Sequence, residues 1–121
     1  MIKICTSIEQ SEKLLSLGLD QSTADMYWYK FDKNKDKEWT AAIRYEHLYD
    51  GEIPCWSLAA LLELMPRIIP NEGILCITPS HKDNGWGVGY DEENTSFPTL
   101  IDAAFEMVVR LIELGHIKVN K

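Results

Sequence analysis

Three cysteines and three histidines are the residues of this 121-residue chain best equipped for nucleophilic chemistry. Cys5, Cys55 and Cys76 stand far apart, are odd in number and form no Cys-x-x-Cys pair. That spacing argues against a disulfide framework and a zinc site, and leaves buried free thiols as the expectation. A catalytic thiol needs an electropositive setting to ionise, and His47, His81 and His116 are the candidate partners. Cys76 and His81 lie nearest in sequence, yet no local signature sets any histidine beside any cysteine. Asp91, Glu92 and Glu93 form a run of acids on a polar stretch, where solvated carboxylates are expected.

Two further patterns resemble ligand loops and fail on chemistry. Asp32, Asn34 and Asp36 alternate as at the start of a calcium loop. Such a loop needs glycine at its sixth position and glutamate at its twelfth, where this chain has Lys37 and Ile43. The sharp turn and the bidentate ligand are both missing, so a solvated hairpin loop is expected. Gly85, Gly87 and Gly89 alternate with Trp86, Val88 and Tyr90, which is the period of a strand and not of a phosphate loop. A strand with one bare face invites another backbone, a ring or a ligand, and an aromatic ring from a neighbouring strand is the expectation. No cofactor or metal site is read from these residues.

The elements that must position such groups follow from periodicity and capping. Thr6 and Ser7 open overlapping capping boxes with Glu9 and Gln10, and Gly18 closes the first helix. Met26 to Phe31 reads as a strand, with Tyr27 and Tyr29 on one face and Trp28 and Lys30 on the other. Trp39 to Tyr45 reads as its antiparallel partner, and Tyr49 to Pro54 as a turn. Ser57 caps a helix that Pro66 stops, and a mobile segment leads to Gly73. Ile74 to Thr78 and Trp86 to Tyr90 read as a second hairpin, followed by a polar loop from Asp91 to Ser96. Thr99 caps the clearest helix, in which Ile101, Ala104, Phe105, Val108, Leu111 and Ile112 fall at helical spacing. The expected fold is α+β: a small antiparallel sheet of two hairpins with three helices, in the order α-β-β-α-β-β-α.

Length matches one domain over residues 1–121, large enough to bury a core without staples. The chain carries 19 acidic and 12 basic groups, a net charge of −7. A nucleic-acid binder needs a basic face to release phosphate counterions, and the one visible Lys/Arg cluster, Lys30 to Lys37, is largely cancelled by Asp32 and Asp36, so no nucleic-acid partner is expected. No apolar run approaches the ~20 residues of a membrane helix, and the N-terminus is too quickly polar for a signal peptide, so a cytoplasmic location is expected. Four tryptophans and five tyrosines are a surplus for this size. Where both faces of one strand carry rings, one face is expected to meet a partner. Tyr27, Trp28, Tyr29 and Trp39 are the candidate interface residues.

Three blocks carry a resemblance. They are Ile4 to Ser11, running on to Leu17–Asp20 and Thr23–Tyr27; Ile53 to Pro66; and Asp102 to Val109 with Leu111 to Glu113. Together they cover about a third of the chain, in order. They resemble a set of short uncharacterised proteins from phages and integrated mobile elements of gut anaerobic bacteria. The resemblance implies a cytoplasmic accessory protein of a mobile element and carries no activity, cofactor or catalytic residue with it. Those proteins tend to have alanine at the place of Cys55, which weakens a catalytic role for that thiol.

Three functions are consistent with the sequence. The first is a non-catalytic binding or accessory protein that acts through protein contacts, with a homodimer among the options. The second is a small enzyme whose site is assembled from distant residues around 76–93. The third is an acidic inhibitor of a host defence protein.

Overall fold

Helix α1 spans Ile8–Ser16 and begins at Ser7, whose hydroxyl accepts the Gln10 amide while the Gln10 side chain accepts the Ser7 amide. This reciprocal capping satisfies two of the donors that a helix start leaves free. The chain leaves α1 through Gly18 at φ 93°, a left-handed conformation in which a side chain would be strained. Leu19 then donates to the Leu14 carbonyl and is buried, which closes the cap on an apolar contact.

A computed structural model describes residues 3–30, 39–43, 51–80, 84–91 and 94–120. After α1 come strands β1 (Met26–Tyr29), β2 (Thr40–Ile43) and β3 (Ile53–Cys55), then helix α2 (Leu58–Leu64). Short strands β4 (Ile68–Ile69) and β5 (Gly73–Ile74) are followed by β6 (Cys76–Pro79), β7 (Trp86–Gly89), β8 (Asn94–Phe97) and helix α3 (Leu100–Glu113). The strands make three antiparallel sheets with orders β2-β1-β3, β4-β5 and β6-β7-β8. Both expected hairpins are present, in a small α+β fold with three helices. The calcium-like stretch from Asp32 to Glu38, His47, His81, Glu92 and Glu93 lie outside the described residues.

Each hairpin gains a third strand that its sequence conceals. Residues 49–54 read as a turn, yet Ile53–Cys55 pairs with β1. The order β2-β1-β3 makes this an edge strand, where Pro54 is tolerated despite its missing N–H. Asn94–Phe97 read as loop because it is polar and short. It pairs with β7, with Thr95 buried and Asn94 and Ser96 exposed, the alternation of a half-covered strand. The segment read as mobile is the tight β4-β5 hairpin, with Asn71 at φ 71° in its turn.

Helix α3 is the centre of the molecule. It packs against β7 and β8 on one side and α2 on another. Ala103, Met107 and Val109 are therefore buried along with the expected stripe from Ile101 to Leu111, and Ile112 is half-buried. Trp56, Leu61, Leu14 and Val88 join it in one apolar core. The Thr95 hydroxyl donates to the Ala103 carbonyl at 2.7 Å, which fixes β8 to the helix. Gly115 ends α3 as Gly18 ends α1, with His116 donating to Leu111. The chain after it returns to α1, where the Asn120 amide meets the Gly18 carbonyl at 2.7 Å.

The polar groups inside this core are satisfied. Thr6 and Ser11 are fully buried, with their hydroxyl oxygens 2.8 Å apart. The Ser11 hydrogen goes to the Ser7 carbonyl, so Thr6 is the donor between them, and its oxygen accepts the Trp56 amide at 3.0 Å. This network ties the start of α1 to the start of α2. Among the described residues, no buried side-chain nitrogen or oxygen lacks a partner.

The bare strand is used differently from the expectation. At Gly85 the neighbour is backbone and not a ring: a Cβ there would lie 2.3 Å from the Phe97 carbonyl oxygen. Gly85→Ala is expected to cost about 1–3 kcal/mol, because a backbone neighbour cannot swing aside. A thermal melt matching wild type would contradict that placement.

Candidate functional site

The alternation of β1 decides how its aromatic residues divide. Trp28 pairs with Ala41, and Tyr27 and Tyr29 pair with Ala42 and Thr40. Cross-strand partners share a face, so Trp28 and Ala41 lie on one side and the two tyrosines on the other. The tyrosine rings contact each other at 5.5 Å. Trp28 and Trp39 line a common groove of about 470 Å³ with Lys3, Ile4, Cys5 and Ala41. The Trp28 indole donates to the Thr6 carbonyl at 2.9 Å, which holds its ring against the N-terminal segment. The Lys30 ammonium lies 5.0 Å from the centre of the Trp39 ring, a cation–π arrangement.

A second groove of about 510 Å³ adjoins the first and shares Lys3 and Ile4 with it. Leu58, Ala59, Trp86, Leu100 and Ile101 form the apolar part of its lining, and Ser57 and Thr99 complete it. Ile4 stands between the two grooves and is 57% exposed, and Trp86 is 39% exposed. The result is one apolar surface that runs from Trp39 across Ile4 to Trp86. Sequence reasoning pointed to Trp28 and Trp39 and missed Ile4, Leu58 and Trp86. These come from separate elements, and their joining is a property of tertiary structure.

One ion pair positions this surface. Lys3 meets the Asp102 carboxylate at 2.6 Å, and Gln10 donates to the same oxygen at 2.8 Å. The other oxygen of Asp102 accepts the Thr99 hydroxyl at 2.6 Å, at the start of α3. Burial alone would raise the Asp102 pKa, but the hydrogen bonds from Lys3, Thr99 and Gln10 hold it below the ordinary carboxylate value. A group whose native pKa is depressed contributes stability above its unfolded value, near pH ~4, and that contribution is lost as pH falls through the native value. Asp102→Asn is therefore expected to flatten the acid limb of the stability curve below about pH 4. Urea midpoints followed across that range measure it, and an unchanged acid limb would contradict the assignment.

The outer face of β6-β7-β8 is a different kind of site. Gly87 and Gly89 floor a groove of about 320 Å³, with Cys76, Thr78, Asn94 and Ser96 around it. Among the described residues, the nearest neighbours of the place above Gly87 are Thr78 and Thr95 and not a ring. Cys76 is exposed here, a correction to the expectation of a buried thiol. Among the described residues, neither a histidine nor a carboxylate lines this groove, so Cys76 has no visible base. His116 instead lies 3.7 Å from Glu72. Asp91 sits beside Gly73.

Cys5 and Cys55 are buried as expected, but they are not apart. The Cys55 thiol donates to the Cys5 sulfur at 3.5 Å. Among the described residues, no group of three His, Cys, Asp or Glu side chains is placed to hold a metal ion. Among the same residues, no helix is long and apolar enough to cross a membrane. No protein-family model, no curated protein and no solved structure matches the chain.

Proposed function

We propose that the chain is a non-catalytic binding protein that acts through protein contact at the tryptophan-lined surface. The observation that carries this reading is the continuity of the two grooves across exposed Ile4, with Trp28, Trp39 and Trp86 along them. An extended apolar surface of this kind is costly to leave in water. Tryptophans are the residues that most often anchor interfaces. The net charge of −7 favours a protein over a nucleic-acid partner. A cytoplasmic accessory role in a phage or mobile element fits the sequence resemblance.

The test is paired capture from a bacterial lysate with wild type, Trp39→Ser and Tyr29→Ser, together with light scattering of each pure protein. Loss of one anchoring tryptophan is expected to lower recovery of a partner, or self-association, by about tenfold or more. The Tyr29 variant, altered on the opposite face, is expected to bind as wild type does. A partner retained by the Trp39 variant and lost from the Tyr29 variant would move the interface to the tyrosine face.

A further inference from the structure

The Cys5 and Cys55 thiols lie 50 residues apart in the chain and 3.5 Å apart in space. Cys55 belongs to β3, opposite Met26 of β1. Cys5 lies on the N-terminal segment, held by a single bridge to Ser57 and by the bond from the Thr6 amide to the Trp56 carbonyl at 2.9 Å. Both side chains pack with Met26, Trp28 and Ala41 in a small cluster separate from the main core. Cys5 is only 1% exposed, yet it contributes to the lining of the groove that carries Trp28 and Trp39.

We propose that Cys5 and Cys55 are a redox-modification site, in which a small hydroperoxide converts the thiol pair to a reversible intramolecular disulfide. A disulfide has its sulfurs about 2.05 Å apart, so the pair must close by about 1.5 Å. Cys5 is the nucleophile. It accepts the Cys55 hydrogen, which lowers its pKa, and Lys3 assists, against burial and Asp25. Cys55 is held protonated by donating that hydrogen bond and by burial.

The Cys5 thiolate attacks one peroxide oxygen and breaks the O–O bond. It becomes a sulfenic acid, and the other oxygen leaves as hydroxide or alkoxide, which takes up the proton that Cys5 released on ionising and becomes water or an alcohol. The Cys55 sulfur then attacks the Cys5 sulfur. The S–S bond forms, the S–O bond breaks, and the departing hydroxide takes the thiol proton as water. Two thiols give up two electrons and the peroxide accepts them. A dithiol reverses the change by exchange. Closing a loop of this length constrains the unfolded chain, so the oxidised form is expected to melt higher than the reduced one.

The test uses the full chain with Cys76→Ser, which removes the exposed thiol and with it disulfide-linked dimers through that position. The folded protein is treated with hydrogen peroxide, denatured and alkylated, then weighed and digested. The expected result is a loss of two hydrogens, a Cys5–Cys55 linked peptide, recovery of both thiols with dithiothreitol, and a higher melting temperature before reduction. Linking is also expected to be about tenfold or more faster in the folded protein than in the same protein unfolded in guanidinium. Both thiols alkylated after an exposure that oxidises Cys76 in wild type would overturn the proposal. So would oxygen addition without a linked peptide, or linking no faster in the folded state.

Discussion

Trp56→Ala is expected to destabilise the protein by about 3–5 kcal/mol, the range for deleting a large ring from a close-packed core. Trp56 is 0% exposed and lies in the main core with Leu14, Leu61 and Phe105. Its indole N–H donates to the Thr23 hydroxyl at 2.9 Å. Thr23 is exposed and can turn to water, so most of the loss comes from the cavity. A domain of this size has a total stability of order 10 kcal/mol, so the variant loses a large fraction of it. The melting temperature is expected to fall by roughly 10–20 °C. Trp56→Phe keeps most of the ring and is expected to recover the larger part of the loss. An alanine variant that melts close to wild type would show that Trp56 is not enclosed by α1, α2 and α3.

Phe105→Ala is expected to cost a similar amount, about 3–5 kcal/mol, for the same reason. Phe105 is buried on α3. Its neighbours along that helix, Ile101 and Val108, are also buried, so the cavity is walled by residues that other contacts hold in place. Collapse around it is limited, which puts the cost towards the upper end. Urea denaturation of the variant measures the change. A midpoint near that of wild type would mean that α3 presents Phe105 to solvent.

Much of this framework was legible because its signals are local. Ser7, Ser57 and Thr99 cap the three helices, as their side-chain chemistry dictates. The apolar spacing of α3 gave the face that meets the core. It did not give the second face, because Ala103, Met107 and Val109 fall outside a single helical stripe. Their burial follows from a sheet packed on one side and α2 on another. Strands β3 and β8 were hidden by composition, the first by Pro54 beside a turn-like Asp50-Gly51, the second by its polar residues.

The candidate site was legible only in part. Alternation along β1 correctly opposed Trp28 to Tyr27 and Tyr29, since that period is a property of the strand itself. The joining of Ile4, Leu58 and Trp86 into one surface depends on how α2, β7 and the N-terminal segment meet, and no local pattern encodes it. The pairing of Cys5 with Cys55 is equally non-local. It arises because residues 5–7 run beside residues 55–57, an association set by the buried Thr6–Ser11–Trp56 network.

The most direct measurement of the central claim places a photo-crosslinking phenylalanine analogue at position 4, between the two grooves. The same analogue at position 74 serves as the comparison, because Ile74 is 63% exposed on the separate β4-β5 hairpin. Illumination of the pure protein and of a bacterial lysate containing it is followed by gel separation and mass spectrometry. The expected result is a discrete protein adduct from position 4, either a second copy or one partner, and none from position 74. No adduct at position 4, or the same adducts from both positions, would contradict the reading of this surface as a protein interface.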